Sequence, residues 1–380
     1  MSDLPLFPVT TVGSWPRPPK VAEALRQFRR KRIGRAEFDR VVDADVVELL
    51  RLQEHLGCDI VTDGELRRDN FYSFVAEKLT GVRLMTLAEM LDVVEDKAGF
   101  ERLLQTLDVP AYSISSPTCD GKIGRREQLA ADDLRFVKRH TDRPVKVTLP
   151  GPYLLTRAMF VPEMTRAFYE SKEALAEDIV TVLRAELAEL AAEGAEFVQF
   201  DEPVLTELTF APGSTRTFMC AALAARRDPA EELELAVSLL NRVVEGIRDV
   251  RIGVHVCRGN WSRDETTLLS GGYQPLAPYL ERMDVAQLVL EYATDRAGDL
   301  MPFGGKELGL GVVNPRTDAV ESSAAIRATV EDALHFYAPG QVFLNPDCGF
   351  STFASRPMST WETAAAKVGA MVAAARDLRG

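Results

Sequence analysis

The 380-residue chain is 46% hydrophobic and 27% charged, with 57 acidic against 45 basic side chains and a formal net charge of −12. That balance excludes a disordered chain, and its acidic tilt disfavours a phosphate backbone, and hence nucleic acid, as a partner. No apolar run approaches the ~20 residues that span a bilayer, so no membrane partner is expected. Met1-Ser2-Asp3-Leu4-Pro5 lacks the basic and apolar parts of a secretory leader, which makes the cytoplasm the expected location.

Along the chain, short β-rich runs alternate with long stretches of helical periodicity. Pro8-Val9-Thr10-Thr11-Val12 is the first predicted strand and ends in Gly13-Ser14-Trp15. The basic run Arg29-Arg30-Lys31-Arg32 reads as a solvated helix end. The second strand, Asp59-Ile60-Val61-Thr62, ends in Asp63-Gly64-Glu65. Residues from about 83 to 126 break the alternation and predict an excursion with its own helix and hairpin, with hairpin chemistry in Asp120-Gly121-Lys122-Ile123-Gly124. Strand three, residues 144–148, leads to Pro150-Gly151-Pro152, and strand four, residues 197–200, leads to Asp201-Glu202-Pro203. Amphipathic stretches at 171–193 and 229–248 are predicted helices. Strand five, residues 252–256, runs into Cys257-Arg258-Gly259-Asn260, and strand six, residues 286–290, into Glu291-Tyr292. Strand seven, residues 308–313, ends in Asn314-Pro315-Arg316, and strand eight, residues 341–344, in Asn345-Pro346-Asp347-Cys348.

Eight apolar strands with intervening helices predict an α/β fold, a closed (β/α)8 TIM barrel forming a single domain over residues 1–380. An open doubly wound sheet is the alternative, but no G-x-G-x-x-G or P-loop follows a strand. In a barrel the segments after the strands build the site, so polar strand ends are the candidates. His255 and Cys257 stand two apart and share a face of strand five, and Cys348 closes strand eight. One imidazole and two thiolates suit zinc, with a coordination position left for a substrate thiol. Cys58, Cys119 and Cys220 read as reduced buried thiols, Cys119 being the one in a loop-like context. A single strand-end carboxylate is usually a helix cap or an ion pair. Glu65, Asp201, Glu207 and Glu291 together predict an anionic mouth that calls for a metal and a substrate ammonium.

His255-Val256-Cys257, Glu291, Asn345-Pro346-Asp347-Cys348-Gly349, Asp201-Glu202-Pro203-Val204-Leu205 and Val12-Gly13-Ser14 resemble, in order, the catalytic barrel of cobalamin-independent methionine synthase, over the whole chain and in a single-barrel form. The resemblance implies zinc held by His255, Cys257 and Cys348, with Glu291 as a displaceable fourth ligand. It also implies that Asp201 and Glu65 hold the ammonium of homocysteine and the backbone around Gly13 and Ser14 receives its carboxylate. Glu207 matches the carboxylate that contacts the pterin of methyltetrahydrofolate. The implied partners are a small-molecule thiol and a methyl or alkyl donor.

Three positions depart from the family pattern. Ala158 stands where the family has a Trp that walls the pterin, Arg316 replaces a proposed proton-donating His, and Arg258-Gly259-Asn260-Trp261 is unlike the usual run. Arg does not release a proton at neutral pH, which leaves Asp347 or a water to protonate the departing amine. These departures keep two alternatives: a zinc-dependent thiol alkyltransferase of the epoxyalkane:coenzyme M type, with Arg258 or Arg316 on an anionic thiol, and a zinc- and thiol-binding barrel without turnover. For both arginines an ion pair with nearby carboxylates is the competing expectation.

Overall fold

The computed structural model describes residues 3–94, 97–98, 115–210 and 228–380. The expectation for Cys220 and the middle of the predicted excursion lie outside the described residues.

A six-stranded parallel sheet in strict sequence order forms the centre of the molecule. Its strands are β3 (Lys146–Pro150), β4 (Phe197–Asp201), β5 (Arg251–Val256), β6 (Gln287–Leu290), β7 (Glu307–Val313) and β8 (Val342–Pro346). Apart from the first residues of β5 and β7, every strand position is buried, as expected of a sheet covered on both faces. The helices Lys172–Ala192, Ser323–Ala333 and Trp361–Arg379 begin where Ser171, Ser322 and Thr360 accept a backbone N–H three residues on. Asp228 caps Pro229–Val244 from two residues away. These side chains satisfy N–H groups that a helix start leaves without partners. Among the described residues no helix is long and apolar enough to cross a membrane.

The first two predicted strands are each reduced to one parallel bridge, Val9 with Leu344 on β8 and Val61 with Val145 beside β3. Side chains take the backbone groups a longer ladder would use. Asp59 Oδ2 accepts the Val9 N–H at 2.8 Å. Gln53 accepts the Thr62 N–H at 3.0 Å and donates to the Thr62 carbonyl at 2.8 Å. The two segments also join each other, since the N–H groups of Asp59 and Ile60 donate to the Val9 carbonyl. Val12, Ile60, Phe197, Val289 and Phe343, one from each of five segments, pack into an apolar cluster of their own.

The excursion is an antiparallel pair, β1 (Leu79–Thr86) with β2 (Ser115–Arg125), running from Leu79 opposite Arg125 to Thr86 opposite Ser115. A helix, Leu87–Val93, follows β1 from a Thr86–Glu89 capping box. The predicted turn is corrected: Asp120 to Gly124 lie within β2, facing a register shift between Thr80 and Val82. Gly81 sits there at φ 69°, where a Cβ would approach the Lys122 carbonyl oxygen to 2.4 Å. The glycines read as a turn serve a bulge that brings two backbones together.

Candidate metal centre

β5 carries His255 next to its last residue and Cys257 just beyond its end, while Cys348 follows β8 after Asp347. One ligand atom from each of the three lies within 4.8 Å of the other two, and all three residues are buried. His255 Nδ1 lies 3.0 Å from the Val289 carbonyl on β6. A carbonyl only accepts, so Nδ1 carries a proton, and Nε2 is the nitrogen left to a metal once the ring is neutral. That buried nitrogen has no hydrogen-bond partner outside the neighbouring thiols.

The group is electronically poised for a cation. Cys257 is drawn down to about 5, chiefly by the hydrogen bond from the Cys348 thiol, with burial opposing and His255 assisting. The same bond, together with burial, holds Cys348 well above its usual range. Burial would lower His255, but the Cys257 contacts outweigh it and raise the imidazole to about 9. One thiolate, one thiol and one imidazolium at neutral pH are what a divalent soft-ligand metal would convert to two thiolates and a neutral ring. Zinc binding at pH 7 is therefore expected to release about two protons, one from Cys348 and one from His255. Affinity should then climb roughly 100-fold per pH unit between pH 6 and 8. Calorimetry in buffers of different ionisation enthalpy checks this, and proton release near zero would contradict the protonation pattern.

The three ligand candidates line a small cavity of about 30 Å³, partly open to solvent, with Ser14, Glu65 and Asp201. Glu65 is held at φ 52°, following Gly64 at φ 67°, a backbone region that L side chains rarely adopt. Arg17 and the Arg68 N–H bind the Glu65 carbonyl and keep it there, while Thr148 Oγ1 donates to its carboxylate at 2.8 Å. The second carboxylate oxygen of Glu65 is buried without a hydrogen-bond partner. Asp201, at the end of β4, accepts from Gln199 Nε2 at 2.8 Å, and burial raises it to about 7 against the pull of His255. Gly13 and Gly349 are required by close approach: a Cβ on either would come within 2.4 Å of Glu65 Oε1 or 2.0 Å of Ser14 Oγ.

Glu207, Glu291 and Asp347 do not line this cavity. Glu207 is buried on the helix Val204–Phe210. Glu291 lies outside the mutually close trio. It accepts from the Arg258 N–H at 3.1 Å and Arg316 Nη1 at 3.2 Å, with Arg296 at 3.7 Å. Asp347 Oδ1 accepts the N–H groups of Tyr292 and Ala293, and Arg316 reaches its other oxygen at 3.4 Å. Burial, then Glu291, raise Asp347 to about 7.

Both arginines weighed for anion binding are occupied by the protein. Arg258 donates to the carbonyls of Gly271 and Ala297 and stacks 4.0 Å above the Tyr273 ring. Arg316 joins Glu265, Asn260, Glu291 and Asp347. The sequence reading missed Phe71, Asn260 and Thr352 on the cavity wall. Asn260 donates at 2.7 Å to both the Gly349 carbonyl and Thr352 Oγ1, tying the loop after β5 to the one after β8. Its place at a strand end was the one available signal; Phe71 and Thr352 carried none.

Residues 7–377 match the family model described as cobalamin-independent synthase, catalytic domain. The chain belongs to this family. Among the relatives of this cobalamin-independent synthase domain is a methionine synthase of Thermococcus kodakarensis, 29% identical over 354 residues that cover 91% of this chain and 88% of that one. Another is a methionine synthase of Sulfurisphaera tokodaii, 27% identical over 353 residues, covering 92% and 87%. Two solved structures share the fold. A B12-independent methionine synthase from a Shewanella species, in complex with selenomethionine, superposes with a TM-score of 0.73 at 23% identity over 98% of both chains. A methyltransferase from Methanosarcina mazei gives 0.55 at 14% identity over 100% of this chain and 96% of that one. The chain is thus a methionine-synthase-like methyltransferase with an α/β, parallel-sheet core.

Proposed function

We propose that this protein is a zinc-dependent methyltransferase that passes a methyl group from a methyltetrahydrofolate-type donor to the thiol of homocysteine, giving methionine, in the cytoplasm. The observation that carries the reading is one cavity that His255, Cys257 and Cys348 line together with two buried carboxylates, Glu65 and Asp201. We also read residues 1–380 as one closed eight-membered barrel. The hydrogen bonds of Asp59 and Ile60 to Val9, and the apolar cluster drawn from five segments, support that reading.

Zinc bound by His255, Cys257 and Cys348 would supply the Lewis acidity that keeps a substrate thiol as its anion at neutral pH. The remaining work falls to the protein's own side chains. Glu65 and Asp201 offer carboxylate oxygens to the substrate ammonium, a charge that offsets the cost of burying both. Ser14, held against Gly349, puts its hydroxyl beside the place the amino-acid carboxylate takes. Phe71, Pro203 and Val12 line the cavity with apolar surface and limit water around the sulfur. In the transfer the S–C bond forms as the C–N bond breaks, and the electron pair goes to the donor nitrogen, which takes a proton. Of the two aspartates raised to about 7, Asp201 on the cavity wall is committed to the substrate ammonium, which leaves Asp347 as the other acid in titration range. Its contacts with Tyr292, Ala293 and Arg316 direct it away from the cavity wall, which favours water as the immediate donor. We propose Glu291 as a carboxylate that approaches the metal only on leaving its arginines, and Glu207 as a donor-side contact.

The occupied guanidinium groups of Arg258 and Arg316 favour this reading over an epoxyalkane:coenzyme M type reaction. The test is metal analysis of the purified protein, followed by homocysteine and coenzyme M assayed against methyltetrahydrofolate, methylcobalamin and small epoxides. About one zinc per chain and methionine from homocysteine are expected. Consumption of neither thiol with any donor would sink the proposal and leave a binding barrel.

A further inference from the structure

Beneath the cavity a lysine stands where a barrel interior ordinarily holds apolar side chains. Lys146, the first residue of β3, is 1% exposed. Its Nζ lies 3.1 Å from Gln199 Oε1 on β4 and 5.2 Å from the centre of the Phe197 ring. Gln199 Nε2 in turn donates to Asp201 Oδ1 at 2.8 Å and to the Val12 carbonyl at 3.0 Å. Three side chains from adjacent strands thus form one directed chain of hydrogen bonds that ends on a carboxylate of the cavity wall.

The direction of that chain is determined by chemistry. An ammonium has donors and no acceptor, so the end of the Gln199 amide facing Lys146 must be oxygen. The amide nitrogen is then turned towards Asp201 and Val12, both of which accept. Burial pulls Lys146 down to about 7 while Asp201 and Glu65 pull it back up; a neutral amine at this position still has N–H groups to donate to Gln199 Oε1. Burying a lysine under a metal centre costs free energy that a Leu or Met would avoid, so its retention needs a reason in the site rather than in the core.

We propose that Lys146 is a positioning residue: through Gln199 it fixes the Asp201 carboxylate in the rotamer that receives the α-ammonium of the amino-acid substrate, and so sets selectivity for an amino acid over a simple thiol or thioether acid. This rests on the reading that Asp201 and Glu65 hold that ammonium. Without Lys146, Gln199 Oε1 is a buried acceptor lacking its donor, the amide is held from its nitrogen end alone, by Val12 and Asp201, and the bond that aims Asp201 is less firmly fixed.

The test compares L-methionine with its des-amino analogue, 4-(methylthio)butanoate, binding to the zinc-loaded protein by calorimetry. The wild type should prefer L-methionine by at least about tenfold, the factor of one charge-assisted hydrogen bond. In Lys146→Met the preference should fall several-fold, Glu65 keeping its own hold on the ammonium, while zinc content stays unchanged; a loss of folded protein would weaken both ligands equally and leave the ratio intact. Gln199→Glu serves if Lys146→Met does not fold, because it keeps an acceptor for the lysine and removes the donor to Asp201; the same fall is expected. A wild-type ratio near one would overturn the ammonium-site reading and this proposal with it. A normal wild-type ratio that survives in a folded variant would overturn the role of Lys146 alone.

Discussion

Cys348→Ser is expected to leave the purified protein without stoichiometric zinc and without methyl transfer. The thiol is 6% exposed at the end of β8 and is one of three mutually close donors. A serine hydroxyl in its place stays protonated at neutral pH and offers no thiolate charge. Loss of outer-shell partners alone weakens metal sites by roughly 10–100-fold, so loss of a direct thiolate should exceed about 100-fold. The chain of effects should stop at the site, because Cys348 lies past the strand and its backbone is unchanged. Cys119→Ser is the matched control. Cys119 is a buried thiol on β2 that donates to the Gly121 carbonyl at 3.1 Å, a bond serine can also make, and its zinc content should match the wild type. Metal analysis of both variants, alongside activity, reads the result; full zinc occupancy in Cys348→Ser would remove the thiolate from the ligand set.

How much of this was legible in the sequence follows from which interactions are local. β3 to β8 announce themselves because each is a short apolar run buried on both faces, and their polar ends mark the mouth without further information. Asp201, His255, Cys257 and Cys348 reach one cavity for that reason alone, and Glu65 joins them from the segment after the second predicted strand. The first two strands look the same in sequence, but Gln53 and Asp59 take their backbone hydrogen bonds. No periodicity records that a side chain will replace a ladder. Likewise Asp120-Gly121-Lys122-Ile123-Gly124 has turn chemistry, and only the position of Gly81 across the pair shows that the glycines answer a bulge. Glu202 is a further case of a strand-end carboxylate with a structural task. It accepts from the N–H groups of Tyr153 and Leu154 and so caps the helix Pro152–Met159. Glu291 and Asp347 follow β6 and β8 as the sequence indicates, but they do not line the cavity, because their partners come from loops whose path the sequence does not state.

Those partners make Arg316→Leu the second large effect, in stability rather than in metal content. The Arg316 side chain is fully buried and bridges Glu291 at 3.2 Å, Asp347 at 3.4 Å and Glu265 at 3.3 Å. Replacing it with a hydrocarbon leaves buried carboxylates uncompensated, which typically costs about 3–5 kcal/mol. The loss should depend on pH with a definite sign. Asp347 already titrates at about 7 in the folded protein against 3.8 as its ordinary value, with Arg316 among the influences holding it down. An acid raised by folding binds more protons folded than unfolded, so stability falls as pH rises through that window. Removing Arg316 raises the folded value further, and the deficit of the variant should be smaller at pH 6 than at pH 8. Urea denaturation of zinc-loaded wild type and variant at the two pH values measures it. An arginine whose task was to hold an anionic thiol would behave otherwise: the midpoint would stay in place at both pH values while thiol affinity fell. That outcome would move the protein towards the coenzyme M type of reaction, whereas a pH-dependent loss of stability ties Arg316 to the framework that holds Glu291 and Asp347 side by side.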